Sequence, residues 1–134
     1  MAGRNEFLAP AGLSKPNGFS HVARSTGRTT VFVAGQVAYD GEGRIVGVGD
    51  LAAQTHQVYL NLGKALAAAG ATMDDVVKTV LFVRELDPAK AKVVRAARAP
   101  FLSSDAPPAS TMVGVASLAH PDLLLEVEAT AMLE

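Results

Sequence analysis

In two stretches of this chain, apolar side chains fall on both alternating sets of positions. Across Thr29–Val37, Val31 and Val33 alternate with Phe32 and Ala34; across Val77–Glu85, Leu81 and Val83 alternate with Val80 and Phe82. β-Branched and aromatic residues dominate both runs, which favours strands. A strand that is apolar on both faces expects cover on both. Only two other stretches carry helical periodicity, and two helices can cover one face of a sheet. The opposite face is therefore expected to be buried against copies of the same chain. Composition points the same way. Of 134 residues, 49% are apolar and 19% charged, richer in apolar surface than an ordinary soluble domain. The chain is expected to fold as one domain over residues 1–134, with residues 1–18 as an irregular lead-in rich in Pro, Gly, Asn and Ser.

After the lead-in, Phe19–Ser25 alternates, and Thr26-Gly27 turns the chain into the Thr29–Val37 strand. The two are expected to pair as a hairpin. Asp40-Gly41-Glu42-Gly43 signals another turn before a short extended piece at Arg44–Val46. From Asp50 the period changes from two to about 3.6 residues, with Leu51, Val58, Leu62, Ala65, Leu66 and Ala69 on one stripe. Asp50 supplies the N-cap and Gly70 the stop. Thr72–Asp75 resembles a short capped turn before the Val77–Glu85 strand. A second helix begins at Pro88 with Asp87 as its cap and Val94, Ala97 and Phe101 on its apolar side; Pro100 should disturb its end. Ala109–Leu118 and Leu123–Leu133 are the last two strands, expected to form a pair joined by a turn at His120-Pro121-Asp122. The order β-β-α-β-α-β-β predicts an α+β fold rather than a doubly wound sheet.

Several functions find no residues to carry them. The chain has no cysteine, so there is neither disulfide nor thiol chemistry. The N-terminus lacks a signal-peptide pattern, and no apolar run approaches the roughly 20 residues of a membrane helix. A cytoplasmic location is the default expectation. Net charge is −1 with dispersed Lys and Arg, which gives nucleic-acid binding no electrostatic footprint. His21, His56 and His120 form no metal-ligand pair, so no metal site is expected; His21 is the best placed of the three, beside Phe19. Gly41-Glu42-Gly43 and Gly47-Val48-Gly49 are turns rather than phosphate loops. Ser110 and Thr111 have no base partner in the sequence.

The last strand is the exception. In LLLEVEATAM, Glu126 and Glu128 fall on one face, with Leu125 and Val127 on the other. On a solvated face these glutamates would be ordinary surface charge. On a face covered by another copy, a carboxylate must find donors or have its pKa raised, which is how a general acid or water-activating group arises. Glu126 is therefore the candidate catalytic residue, and Glu128 a structural one.

Four stretches, VFVAGQVAYD (Val31–Asp40), Asp50–Ala71, VVKTVLFVREL (Val76–Leu86) and PPASTMVGVASLAHPDLLLEVEATAML (Pro107–Leu133), resemble the Rid family. That family is also called RidA/YjgF, or in older naming the L-PSP endoribonuclease family. The resemblance runs from about Phe19 to the C-terminus. It implies a chorismate-mutase-like α+β fold, with a mixed sheet and two helices on one face. It also implies a homotrimer with small-molecule clefts at subunit interfaces; the absence of membrane and nucleic-acid partners is expected from hydropathy and charge alone. The best-known members hydrolyse 2-imino or enamino acids to 2-oxo acids and ammonia without a cofactor.

By the same resemblance, Glu126 falls on the carboxylate associated with the attacking water. Phe19 falls on an aromatic position usually filled by tyrosine, Gly35 on the cleft-lining backbone, and Arg95 on a second-helix position that is often asparagine. Ser110 and Thr111 complete the implied substrate-binding set. The departure is at Ser110: active deaminases read Pro-Ala-Arg-Ser where this chain reads Pro108-Ala109-Ser110-Thr111. A hydroxyl cannot replace the bidentate fork of a guanidinium. Three readings stay open: a substrate other than a simple 2-imino acid, a cation such as Arg95 in the clamp role, or a cleft that binds without catalysing.

Overall fold

The computed structural model describes residues 4–134. Four strands form one mixed sheet in the order β3 (Thr29–Gln36), β6 (Leu125–Leu133), β4 (Val76–Arg84) and β5 (Ala109–Val115). The β3/β6 and β6/β4 pairs are antiparallel and β4/β5 is parallel. A parallel pair needs a long crossover, and α2 (Pro88–Arg98) supplies it between β4 and β5. The other helix, α1 (Leu51–Ala68), joins β3 to β4 through a single 3₁₀ turn at Met73–Asp75.

Local chemistry sets the helix ends as expected. The Asp50 carboxylate accepts from Ala53 N at 3.0 Å and that of Asp87 from Lys90 N at 2.8 Å, each satisfying an orphan N–H. Thr72 and Asp75 form a reciprocal capping box. Pro100 ends α2 in a 3₁₀ turn over Ala99–Phe101. Both helices pack on one face. Val58, Leu62 and Leu66 of α1 and Val94 of α2 share the core with Leu81 and Val83 of β4 and with Leu125, Val127 and Ala131 of β6. Gln54, fully buried, donates to Asp122 O at 2.8 Å and accepts from Leu124 N at 2.9 Å, fixing the entry into β6.

Among the described residues, none forms a layer over the opposite face of the sheet. Phe32 is 79% exposed, and Val80, Phe82, Glu128 and Thr130 share this face. No helix among the described residues is long and apolar enough to cross a membrane.

The pairing of three segments differs from the sequence reading. Asn5–Leu8, inside the expected irregular lead-in, is a strand (β1), tied down by Arg4, whose Nη2 meets Asp75 Oδ1 at 2.5 Å. β2 (Val22–Ser25) pairs with β1 and not with β3, so the expected hairpin does not form. After Thr26-Gly27 the backbone is captured by β6 instead, starting with the bond from Arg28 N to Leu133 O at 2.9 Å. The two C-terminal strands are likewise not neighbours: β4 lies between β5 and β6. β4 is buried on its helix-facing side by Leu81 and Val83, and the central place gives it two strand partners.

Candidate functional site

The candidate residues fall into two groups that lie apart within one chain. The first is Gly35 with Glu126. β3 is irregular between Val33 and Gln36, and Gly35 sits in that irregularity. A Cβ at Gly35 would run into the Glu126 side chain, 2.7 Å from its Cδ and 2.8 Å from its Cγ. Only glycine lets the backbone approach the carboxylate this closely. Glu126 is half-buried, registers against Phe82 on β4, and has no cation within ion-pair reach among the described residues. Beside Gly35 opens a hollow of about 610 Å³, with Tyr39, Asn61 and Lys64 on its walls. Asn61 holds the rim by donating to Val37 O at 2.9 Å and Tyr39 O at 2.8 Å. Glu128 points to the uncovered face, where it lines a separate depression with Phe32 and Lys78.

The second group gathers at the other end of β4. Ser20 bridges to Ala109: its N donates to Pro108 O at 3.0 Å and its Oγ to Pro107 O at 2.6 Å. This brings Phe19 to the start of β5, where it packs edge-on against His21 at 5.2 Å. Ser110 registers against Thr79, whose hydroxyl donates to its Oγ at 3.0 Å. Arg98 Nη1 donates to the same oxygen at 3.4 Å, and its Nη2 to Gly18 O at 3.3 Å. Arg95 and Arg98 line one cavity of about 220 Å³. Thr111 faces the other way and accepts from Lys78 Nζ at 2.7 Å on the uncovered side.

Ser110 and Glu126 flank β4 on opposite edges, three positions apart in its register. At about 3.3 Å per residue along a strand and 4.8 Å between strands, that separation exceeds roughly 10 Å. The structure therefore places Gly35 with Glu126, and Phe19, Arg95 and Ser110 together, but not the two sets side by side.

Two residues of the second group escaped the sequence reading. Arg98 is 3% exposed and lies on the buried stripe of α2 with Ala91 and Val94. Its signal was available: an arginine at helical spacing on an apolar stripe is rarely fully buried without a reason. Tyr59 is also buried and stacked on Phe101 at 5.5 Å, with the Arg98 guanidinium beside its hydroxyl but no well-formed hydrogen bond to it among the described residues. Burial pushes its pKa above 10.0, opposed by the nearby Arg98 guanidinium. His56 contacts Phe101, and His120 accepts from Asp122 N through Nδ1. Among the described residues no three His, Cys, Asp or Glu side chains could hold a metal ion.

With this geometry in place, the relatives are informative. The family model described as endoribonuclease L-PSP matches residues 11–133. A RutC family protein of Synechocystis sp. is 36% identical over 104 residues, covering 77% of this chain and 78% of its own. Another from Pyrococcus abyssi is 36% identical over 105 residues, covering 78% and 79%. Among solved structures, the Rid family protein YyfB from Yersinia pestis, described as of unknown function, superposes with a TM-score of 0.92 at 39% identity over 98% of this chain and 100% of that one. The YjgF gene product of E. coli superposes at 0.69 with 31% identity, over 78% and 81%. The chain is a member of the endoribonuclease L-PSP family, the Rid/YjgF family of small α+β proteins.

Proposed function

We propose that the protein is a hydrolase of reactive imine or enamine intermediates, or of a related C=N bond, working without a cofactor in clefts between three copies of the chain. The observation that carries this reading is the Glu126 carboxylate held against Gly35 with no cation in ion-pair reach among the described residues. In such a cleft Glu126 accepts a proton from water as the oxygen attacks the C=N carbon, and the nitrogen takes up a proton. Collapse of the carbinolamine then expels ammonia and leaves the carbonyl. The atoms balance as imine plus water to carbonyl plus ammonia. The second half of the cleft, with Phe19, Arg95 and Ser110, positions the substrate and comes from a neighbouring copy. The uncovered sheet face, led by Phe32, is the surface on which copies meet.

Because Ser110 replaces the arginine of the deaminase motif, the substrate differs from a simple 2-imino acid. That same substitution favours one alternative, a metabolite-binding trimer without turnover. A nucleic-acid substrate gains nothing from a net charge of −1. The test is ammonia release from enzymatically generated 2-aminoacrylate and from a panel of bulkier and uncharged imines. Glu126→Gln should lower the rate at least a hundredfold on any imine that the native protein accelerates. Equal inertness of native protein and variant across the panel would leave the binding reading in place.

A further inference from the structure

Of the three histidines, His21 is the one that ties together two separate stretches of chain. Its Nε2 meets Ser14 O at 2.7 Å, and a carbonyl only accepts, so Nε2 carries the hydrogen and donates it. His120 bonds to Asp122 N within its own turn, and His56 packs on Phe101. The stretch that His21 reaches runs from Ala9 to Gly18, between β1 and Phe19, and contains no helix or strand. Its two ends are secured. Leu8 at the end of β1 pairs with Val22 of β2, and Ser20 is bonded through its N and Oγ to Pro108 O and Pro107 O. Between these ends, Gly12 and Gly18 stand in the left-handed region at φ 87° and 73°, where glycine turns without strain. Pro10 and Pro16 stiffen the backbone beside them. Among the described residues, the His21 bond is the one side-chain hydrogen bond that reaches the interior of this stretch.

The same imidazole packs edge-on against Phe19, with ring centres 5.2 Å apart and planes at 78°, a favoured arrangement of two rings. His21 thus holds Phe19 directly, and holds the chain before it through Ser14. Gly18 O receives a further, longer bond from Arg98 Nη2 at 3.3 Å. Without the imidazole, Phe19 would hang between a fixed Ser20 and a segment that its glycines leave free to swing. We propose that His21 is a positioning residue, which latches Ala9–Gly18 in place and so fixes the orientation of the Phe19 ring in the substrate half of the cleft. The inference rests on the hydrolytic reading for what Phe19 does, and adds the residue that sets its place. The latch needs a donor at the Nε2 position rather than a ring. Glutamine carries its Nε2 the same number of bonds from Cα as histidine does, so His21→Gln can rebuild the bond to Ser14 O. His21→Phe keeps the ring and removes the donor.

The experiment combines backbone amide NMR relaxation with imine kinetics on the native protein, His21→Phe and His21→Gln. Order parameters at Gly12, Leu13, Ser14 and Lys15 are expected near the rigid value of about 0.85 in the native protein, below about 0.6 in His21→Phe, and restored in His21→Gln. The Phe19 ring-proton shifts should move and return in the same order. A hydrogen bond of ordinary net strength is worth about a factor of five. For any imine that the native protein hydrolyses, KM should therefore rise about fivefold in His21→Phe with kcat unchanged, and recover in His21→Gln. Native-like order parameters in His21→Phe, a lowered melting temperature with KM unmoved, or no recovery in His21→Gln would each overturn the proposal. The relaxation arm needs no turnover. If the native protein is inert on every imine, the hydrolytic reading fails, while the order parameters and the Phe19 ring shifts still decide the latch.

Discussion

Gly35 and Glu126, the pair on which the proposed hydrolysis rests, approach each other this closely only because position 35 carries no methyl group. A Cβ at position 35 would lie 2.8 Å from Glu126 Cγ, so the glutamate has to swing away. Gly35→Ala is therefore expected to cut imine hydrolysis at least tenfold while the protein stays folded, because a flexible side chain can relieve the clash. A crystal structure of the variant should find the carboxylate displaced; an unmoved carboxylate and unchanged rate would contradict this. Tyr59 gives the opposite case, a buried hydroxyl that makes no well-formed hydrogen bond among the described residues, with only the Arg98 guanidinium recorded beside it. Tyr59→Phe should leave stability unchanged or raise it by up to about 1 kcal/mol, since deleting an unsatisfied polar atom relieves its desolvation. Its pKa is raised on folding, so the neutral phenol is the form the fold prefers. The associated stability is fully present below the unfolded value of 10.0 and is lost as pH rises beyond it towards the folded value. Denaturation curves between pH 9 and 11 should slope less for Tyr59→Phe than for the native protein.

Helices and their caps are set by neighbours a few residues away, and these were the readable elements. Asp50, Asp87, Pro88 and Pro100 all act where the sequence puts them. Asp50→Ala should cost about 1 kcal/mol by orphaning the Ala53 N–H, a fall in melting temperature of roughly 2–6 °C. A thermal melt checks this, with Lys64→Ala on the exposed side of α1 as a neutral comparison. Strand partners were less legible. β6 inserts between β3 and β4, a choice made across about a hundred residues of chain in the case of Thr29 and Leu133. Alternation identifies a strand and its two faces but is silent on which neighbour it takes. Hence the faces of Glu126 and Glu128 were correct in advance, while both expected hairpins were not. The site followed the same division. Glu126 stood out as a carboxylate on an otherwise apolar strand, Gly35 and Phe19 came only through resemblance, and Arg98 was hidden as one more charge on a helix.

At the scale of the whole molecule, one unfilled demand connects fold to function. The sheet presents Phe32, Val80 and Phe82 on a face that neither helix reaches, and an apolar surface of this kind calls for a partner. Sedimentation of the native protein should give a mass of three chains of 13.8 kDa. Phe32→Glu should shift it towards the monomer and take any imine hydrolysis with it, since the two residue groups of the proposed cleft lie on different parts of one chain. That shared cleft is the central claim, and mixing inactive variants tests it most directly. Glu126→Gln and Phe19→Ala, each inactive alone, are unfolded together and refolded at equal concentration. Random assembly into a cyclic oligomer leaves about a quarter of the clefts with both halves native, so about a quarter of native imine hydrolysis should return. Hybrid oligomers that form but stay as inactive as their parents would contradict the account.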